Sequence, residues 1–457
     1  MIPDKLRDFY ESSPMREGIL CWYPFDGSSS VLDLSGGILT KLLGDRCDSV
    51  LSADKTTCER AEGLFDYIVI LDPNVFSVKA LTILRSKLNP SGRLLLAYEN
   101  PFALRYWAGK RATNTKRPYS SLFGGGKNPL PSKAELQTRL ELAGFKVQKW
   151  YYPVPDHYFA ADIYSDTCLP NEHMNQRYLH YVSDDDYLQF NEHGLYREVI
   201  RGGAFEFMCG AYMVEACANE HDKPCIVDYV AITSFREPAK RFATTVRNDG
   251  TVHKIPLHRE GMAAISKMKE IYDDLVSLGV CVLEVNLQNN KLVMQRVDLP
   301  VLCDYWASKF SKGVFDESEM IAHFDRIRES IYKASEKGKC YWELVPANCF
   351  YDEINDDIIY FDQEYYSENI SPDIALTRAI LAFDYSPVFH GKPYSKAWMN
   401  KLRERYNLTE NWDALVADAH DKTWNEVVGD GYKPLIEETI KAAQRVDENR
   451  KAQISER

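Results

Sequence analysis

The sequence lacks the features that would place it in several large protein classes. Its longest apolar runs, Tyr67-Ile-Val-Ile-Leu71 and Leu94-Leu-Leu-Ala-Tyr98, are the length of a strand and far too short for a bilayer span. The start, Met1-Ile-Pro-Asp-Lys-Leu-Arg-Asp, mixes acids with bases and has no apolar core, so it does not read as a secretory signal. Eleven cysteines, an odd number, are scattered from Cys21 to Cys349 with no CxxC pair, which argues against a disulfide framework and a zinc ribbon. A reducing cytoplasm is the expected location. Positive charge is in deficit: 55 Lys and Arg against 67 Asp and Glu leave a net charge of -12, so bulk nucleic-acid binding is excluded. There is no internal repeat, no low-complexity segment and no GxSxG. His157, His173, His180 and His193 lie near acids but lack the i, i+4 pairing of a helical metal site, and read as surface or core histidines.

What remains is an ordered chain of 457 residues, 45% apolar and 12% aromatic, enough for two or three domains with sizeable cores. From Ser29 to Tyr164 short apolar strands alternate with helical stretches, as a βαβ architecture requires. Strands are expected at 30–34, 48–54, 65–71, 93–98 and 146–152, and helices beginning at Leu39, at Val78 and, behind the capping box Ser132-Lys-Ala-Glu135, at Lys133. The turn Asn89-Pro-Ser-Gly92 is expected to end the second helix. Residues 166–201 are polar and weakly periodic, and read as a connector. Beyond it, 225–257 reads as antiparallel strands turning at Arg247-Asn-Asp-Gly250, 259–278 as a long helix, and 280–285 with 291–297 as a strand pair around Gln288-Asn-Asn290. The domains expected are thus 1–165, then the connector, then 202–457.

A strand ending in an acid, then glycines and a helix, then a second strand ending in Asp54, resembles the class I S-adenosylmethionine-dependent methyltransferases. Glycines there let the backbone approach the cofactor, and the acid closing the second strand bonds the ribose hydroxyls. The resemblance implies Asp33, Gly36, Gly37 and Asp54 as the cofactor-binding set. It extends to Lys87-Leu-Asn-Pro-Ser-Gly-Arg93 and, more specifically, to Glu99-Asn-Pro-Phe-Ala-Leu-Arg-Tyr-Trp-Ala-Gly109 and Tyr151-Tyr-Pro-Val-Pro-Asp156, which are similar to methyltransferase domains from bacterial cell-surface polysaccharide gene clusters. Two departures mark a degenerate domain. The loop Asp33-Leu-Ser-Gly-Gly-Ile-Leu-Thr40 has two adjacent glycines where the family spaces three, and only ten residues separate Asp54 from Phe65, too few for the usual helix and further strand. An edge strand is expected to be missing. The basic residues Arg105, Lys110, Arg111, Lys116 and Arg117, interleaved with Tyr106, Trp107 and Tyr119, read as a solvated loop or as a cationic patch for a phosphorylated glycan or an anionic membrane face.

Further on, Trp342-Glu-Leu-Val-Pro-Ala-Asn348 is followed fourteen residues after Asn348 by Asp362. Phosphoryl transfer needs a carboxylate at the acceptor hydroxyl, an Asn and an Asp on the metal, and a strand Lys on the phosphates. This order and spacing resemble the aminoglycoside-phosphotransferase-like kinases. The resemblance implies Glu343 as base, Asn348 and Asp362 as Mg ligands, and Lys254 on the phosphates of ATP, paired with Glu260 or Glu270. Glu343 stands where the family has Asp, and no glycine-rich loop precedes Lys254.

The expected fold is therefore α/β: a degenerate Rossmann-like class I methyltransferase domain followed by an α+β kinase-like domain. The combination resembles bifunctional proteins of bacterial surface-polysaccharide assembly. It implies a glycan or sugar-phosphate acceptor, methyl transfer from S-adenosylmethionine and phosphoryl transfer from Mg-ATP, no membrane span, and glycosyltransferases as partners. The competing expectation is an inactive pseudoenzyme that scaffolds them.

Overall fold

Apolar residues alternate in pairs along the first strands, and each pair sends one side chain to either face of a sheet. In the computed structural model Leu32, Ile68 and Leu94 pack on one face while Val31, Val69 and Leu95 pack on the other. The model describes residues 13–54, 57–71, 77–111, 117–123, 130–172, 189–190, 192–219, 223–385 and 388–434, and beyond these 436–438, 440–441, 444–446 and 448. The fold is mixed α/β around one large sheet.

The first part contains β1 (Ser30–Asp33), α1 (Ile38–Gly44), β2 (Ser49–Ser52), β3 (Phe65–Ile70), α2 (Val78–Arg85), β4 (Leu88–Glu99), α3 (Lys133–Leu142), β5 (Lys146–Val154), β6 (Asp162–Ser165) and β7 (Ala211–Cys217). Strands β2, β1, β3 and β4 are parallel neighbours in that order, followed by antiparallel β7 and β5. Among the described residues nothing pairs outside β2, whose side chains are mostly exposed. The capping box at Ser132 forms, with both halves of the reciprocal bond present. The stretch 89–92 does not end α2. Strand β4 begins at Leu88, and its pairing jumps from Phe65–Leu88 to Tyr67–Arg93, so these residues form a bulge inside the strand.

The expected boundary at residue 202 falls before β7, yet β7 lies between β4 and β5, with Leu95 opposite Glu215 and Trp150 opposite Val214. Its partners are more than a hundred residues upstream or about sixty, a long-range pairing that local periodicity does not reveal.

The second part begins with β8 (Val227–Ile232), β9 (Phe242–Arg247), β10 (Thr251–Pro256), α4 (Met262–Ser277), β11 (Asn286–Gln288) and β12 (Lys291–Gln295). Instead of a strand, 280–285 makes one isolated bridge, Val282 to Tyr360, and the hairpin β11–β12 turns on Asn289 and Asn290, both at positive φ. Strand β8 pairs with β6, so the two parts share a twelve-stranded sheet. At this joint Lys149 on β5 is buried and donates to the Val227 carbonyl at 2.9 Å and to Asp228. A mostly helical portion follows: α5 (Leu302–Ser311), α6 (Glu317–Ala334), β13 (Lys339–Tyr341), the hairpin β14 (Cys349–Asp352) and β15 (Asp357–Tyr360), β16 (Tyr366–Glu368) and α7 (Pro372–Leu381). Its core centres on Trp306, Phe324, Phe383 and Phe389.

One glycine is fixed by close approach. A Cβ on Gly210, just before β7, would stand 1.7 Å from the Pro155 carbonyl oxygen and 2.5 Å from Arg105. Gly210→Ala is expected to cost about 3 kcal/mol, as overpacking against backbone does, and urea unfolding against the parent chain checks it; an unchanged midpoint would contradict this packing.

Candidate functional site

Two sets of residues converge, one in each part. In the first, β1 ends at Asp33 and the chain turns through Gly36 and Gly37, with φ of 70° and 64°, a conformation that favours glycine. Added Cβ atoms there would meet nothing within 4 Å, so the loop faces open space where a ligand could approach the backbone. Asp33 is fully buried and does not point into that space. Its carboxylate accepts from the Ser35 backbone N–H at 2.8 Å, from the Ser35 hydroxyl, and from Thr40 Oγ1 at 2.5 Å, bracing the loop onto α1. The Ala53 N–H donates to the Asp33 carbonyl at 2.9 Å, which brings Asp54 beside the loop. Asp54 is exposed and accepts from the N–H and hydroxyl of Thr57 at 2.9 and 3.0 Å. The glycines thus fit a cofactor cradle, while Asp33 acts on the loop rather than on a ligand.

The basic run does not form one patch. Arg105 is buried, donating to Asp156 at 3.1 Å and to the Pro155 carbonyl, and Lys110 is half-buried, with burial and the Arg105 charge pushing its ammonium down to about 8. Lys116 lies outside the described residues, as do His173, His180 and the side chain of His193.

In the second part, hairpin β14–β15 pairs Cys349 with Tyr360, and the Phe361 N–H donates to the Asn348 carbonyl at 2.9 Å. Asp362 is thereby returned beside Asn348, at a φ of 58°. Lys254, only 4% exposed on β10, donates to Asp362 Oδ1 at 2.5 Å and to Glu364. Burial would push the Lys254 ammonium down, but the two carboxylates outweigh it and raise it. Glu260 and Glu270 do not supply its partner. Both are exposed, on the turn before α4 and on α4 itself, and the carboxylates that reach Lys254 come from the segment after β15.

Glu343 joins the same cluster. Asn348 Nδ2 donates to its Oε2 at 2.6 Å and Arg378, on α7, to its Oε1 at 3.0 Å. Burial raises the Glu343 carboxyl, opposed by the Arg378 charge. Gln363 ties the two segments by donating from Nε2 to the Glu343 and Phe361 carbonyls at 2.9 and 2.7 Å.

Sequence reasoning missed Arg236, Arg378, Gln363 and the role of Glu364. Arg236 sits in the β8–β9 loop and donates to Glu364 and to the Tyr365 hydroxyl at 2.8 Å. The same loop also holds Lys240, 5.6 Å above the Tyr365 ring. The two cations ahead of Lys254, Arg236 and Lys240, were the available signal.

No family model matches the chain, and no curated protein does. Similar solved structures include an S-adenosylmethionine-dependent methyltransferase of Thermotoga maritima, at 13% identity over 47% of this chain and 90% of that one, with a TM-score of 0.26. The CcbJ methyltransferase of Streptomyces caelestis is 11% identical over 47% of this chain and 96% of its own, with a TM-score of 0.27. The PknI kinase domain of Mycobacterium tuberculosis is 17% identical over 33% and 71%, with a TM-score of 0.23. Scores this low carry no argument about class; the structure itself gives a mixed α/β chain whose first part holds four parallel strands and whose second part brings Lys254, Asn348 and Asp362 together.

The ion-pair network makes a pH prediction. Burial pushes the Glu364 carboxyl up, but Arg236 and Lys254 outweigh it and hold it down at about 2. A carboxyl depressed in the folded state stabilises above its unfolded value and loses that contribution as pH falls toward the folded one. Wild-type stability is therefore expected to fall by a few kcal/mol between about pH 4.5 and pH 2, and Glu364→Gln to be less stable at pH 7 and flatter across that window. Urea midpoints at several pH values test this; parallel profiles would contradict it.

Proposed function

We propose that this protein is an enzyme of cell-surface glycan assembly whose kinase-like part transfers a phosphoryl group from Mg-ATP to a sugar hydroxyl or sugar phosphate, and whose first part binds S-adenosylmethionine for methyl transfer. The observation that carries the reading is the convergence of Lys254, Glu343, Asn348 and Asp362 into one cluster from segments up to about a hundred residues apart. Mg-ATP, when bound, supplies the phosphoryl group and the cation that neutralises its developing charge.

Asn348 and Asp362 would hold the metal, which usually keeps several waters and takes one or two carboxylates. A carboxylate, an amide oxygen and phosphates fit that demand. Lys254 would lie along the phosphates, still paired to Glu364. Glu343 would take the acceptor's hydroxyl proton. Burial moves its affinity for a proton toward the working pH, and each of its oxygens retains a second lone pair beside the bond already made. Arg378 and Asn348 fix its orientation, which offsets the reach added by the extra methylene.

In the first part Gly36 and Gly37 would cradle the methionine end of S-adenosylmethionine and Asp54 would bond the ribose. A second reading, a scaffold for glycosyltransferases, is favoured by the bare edge at β2 and by the internal bonds that occupy Asp33. Cytoplasmic location and peripheral contact with an anionic membrane belong to the same proposal. Among the described residues no helix is long and apolar enough to cross a membrane.

Radiolabelled γ-phosphate from Mg-ATP should appear in a glycan or sugar-phosphate acceptor incubated with the protein. Asp362→Ala and Glu343→Gln should each reduce the rate by about 10²-fold or more. No label with wild type across such acceptors, together with a stable complex with glycosyltransferases, would favour the scaffold.

A further inference from the structure

Arg236 is fixed at one edge of its guanidinium and open at the other. Nη1 donates to Glu364 and, at 2.8 Å, to the Tyr365 hydroxyl, and the guanidinium carbon stands 5.5 Å from the centre of the Tyr365 ring. A guanidinium carries five N–H donors in a planar fork, so Nε and Nη2 hold three more, and none of these meets an acceptor among the described residues. The side chain keeps 17% of its surface exposed, and Nε and Nη2 reach solvent, whereas Nε of Arg105, Arg241 and Arg378 is sealed from it. Nε–H and one N–H of Nη2 lie side by side, the edge that takes two oxygens of one phosphate or carboxylate. The backbone beneath is anchored as well. The Phe235 carbonyl accepts from the Gly429 N–H at 2.9 Å, and Thr233 donates its N–H to the Phe242 carbonyl at 3.0 Å while its hydroxyl accepts from the Phe242 N–H at 2.7 Å. The open edge is therefore presented by a held loop.

Its neighbours say which anion suits it. Glu364 bridges two cations, Oε2 accepting from Arg236 and Oε1 from Lys254, so the guanidinium and the ammonium stand against the two oxygens of one carboxylate. Lys254 also donates to Asp362 at 2.5 Å, which leaves one of its three protons unused. Burial raises the Glu343 carboxyl, while Arg378 and, more weakly, Arg236 pull it down, so the guanidinium lies within electrostatic reach of that carboxylate too. Lys240 adds a further cation over the Tyr365 ring, at 5.6 Å. The charges of Arg236, Lys254, Asp362 and Glu364 sum to zero. A magnesium ion held on Asp362 would leave the set two positive charges in surplus. A polyphosphate chain brings both the negative charge and the paired oxygens that the surplus and the open fork call for, whereas a neutral sugar brings neither.

We propose that Arg236 is a phosphate-binding residue whose Nε–Nη2 edge grips a polyphosphate chain beside Lys254. That the chain belongs to a nucleotide rests on the phosphoryl-transfer reading above, and the test separates the two. Binding of Mg-ATP, of inorganic tripolyphosphate with magnesium and of adenosine is measured by calorimetry for wild type, for Arg236→Lys and for the double variant Arg236→Gln with Glu364→Gln. Lysine keeps the charge opposite Glu364 but lacks the fork, and the double variant removes both members of that pair, so neither leaves a charge buried alone. Each variant should bind Mg-ATP and tripolyphosphate about tenfold or more weakly, as loss of a charge-assisted hydrogen bond implies, with its affinity for adenosine unchanged. Equal affinity for both polyphosphates in all three proteins would overturn the proposal, and so would an equal loss for adenosine. Failure of both variants to fold without ligand would assign the guanidinium to structure alone and also overturn it. Wild type that takes tripolyphosphate but not ATP would sink the nucleotide reading and leave the fork standing; Mg-ATP bound equally in all three would do the reverse. Wild type that binds neither polyphosphate overturns both.

Discussion

A buried cation must find its counter-charge inside the protein, and the second part of this chain is arranged around one such demand. Lys254 reaches a nearly closed space, and an unpaired ammonium there would be untenable; removing one partner of a buried pair commonly costs 3–5 kcal/mol. Asp362 and Glu364 meet it, and Glu364 needs Arg236 as well. Four charges therefore tie β10, the β8–β9 loop and the segment after β15 into one unit. The positive φ at Asp362 belongs to the same constraint, because it turns that carboxylate toward the lysine while Gln363 bonds back to the Glu343 carbonyl. Of the two carboxylates on Lys254, Asp362 is the more exposed and Glu364 is deeply buried.

The two parts are joined by β6 and β8 in one sheet rather than by a flexible linker. The joint is a short pairing, Asp162 with Ala231 and Ile163 with Val230, reinforced by Lys149. Strand β7, entering between β4 and β5, closes the parallel half with antiparallel neighbours, and the chain leaves it for β8. The parallel half is buried on both faces, as its paired apolar residues require, whereas among the described residues its edge at β2 is short and mostly exposed, Leu51 included.

What was legible in the sequence was mainly local. Strands β1, β3 and β5, helix α3 with its capping box, and the hairpin returning Asp362 to Asn348 are written in periodicity, caps and turn residues over stretches of some twenty residues. That no strand pairs outside β2 among the described residues agrees with the short span from Asp54 to Phe65. The long-range pairings were not legible. Nothing near 211–217 signals insertion between β4 and β5, and nothing near Arg236 or Arg378 names Glu364 or Glu343 as partner. Glu260 was drawn to Lys254 by sequence order, while the fold supplied carboxylates more than a hundred residues away. The turn-like 89–92 became a bulge because β3 continued to pair past it.

The central claim is that the Lys254 network is a working nucleotide site rather than only a structural clasp. A ligand that binds the native state alone raises the unfolding midpoint, by about 2.7 kcal/mol of stability at a hundredfold excess over its dissociation constant. The decisive measurement is that midpoint with Mg-ATP, in wild type and in Asp362→Ala. A rise in wild type that disappears in the variant is expected; no rise in wild type, or the same rise in both, would contradict the claim.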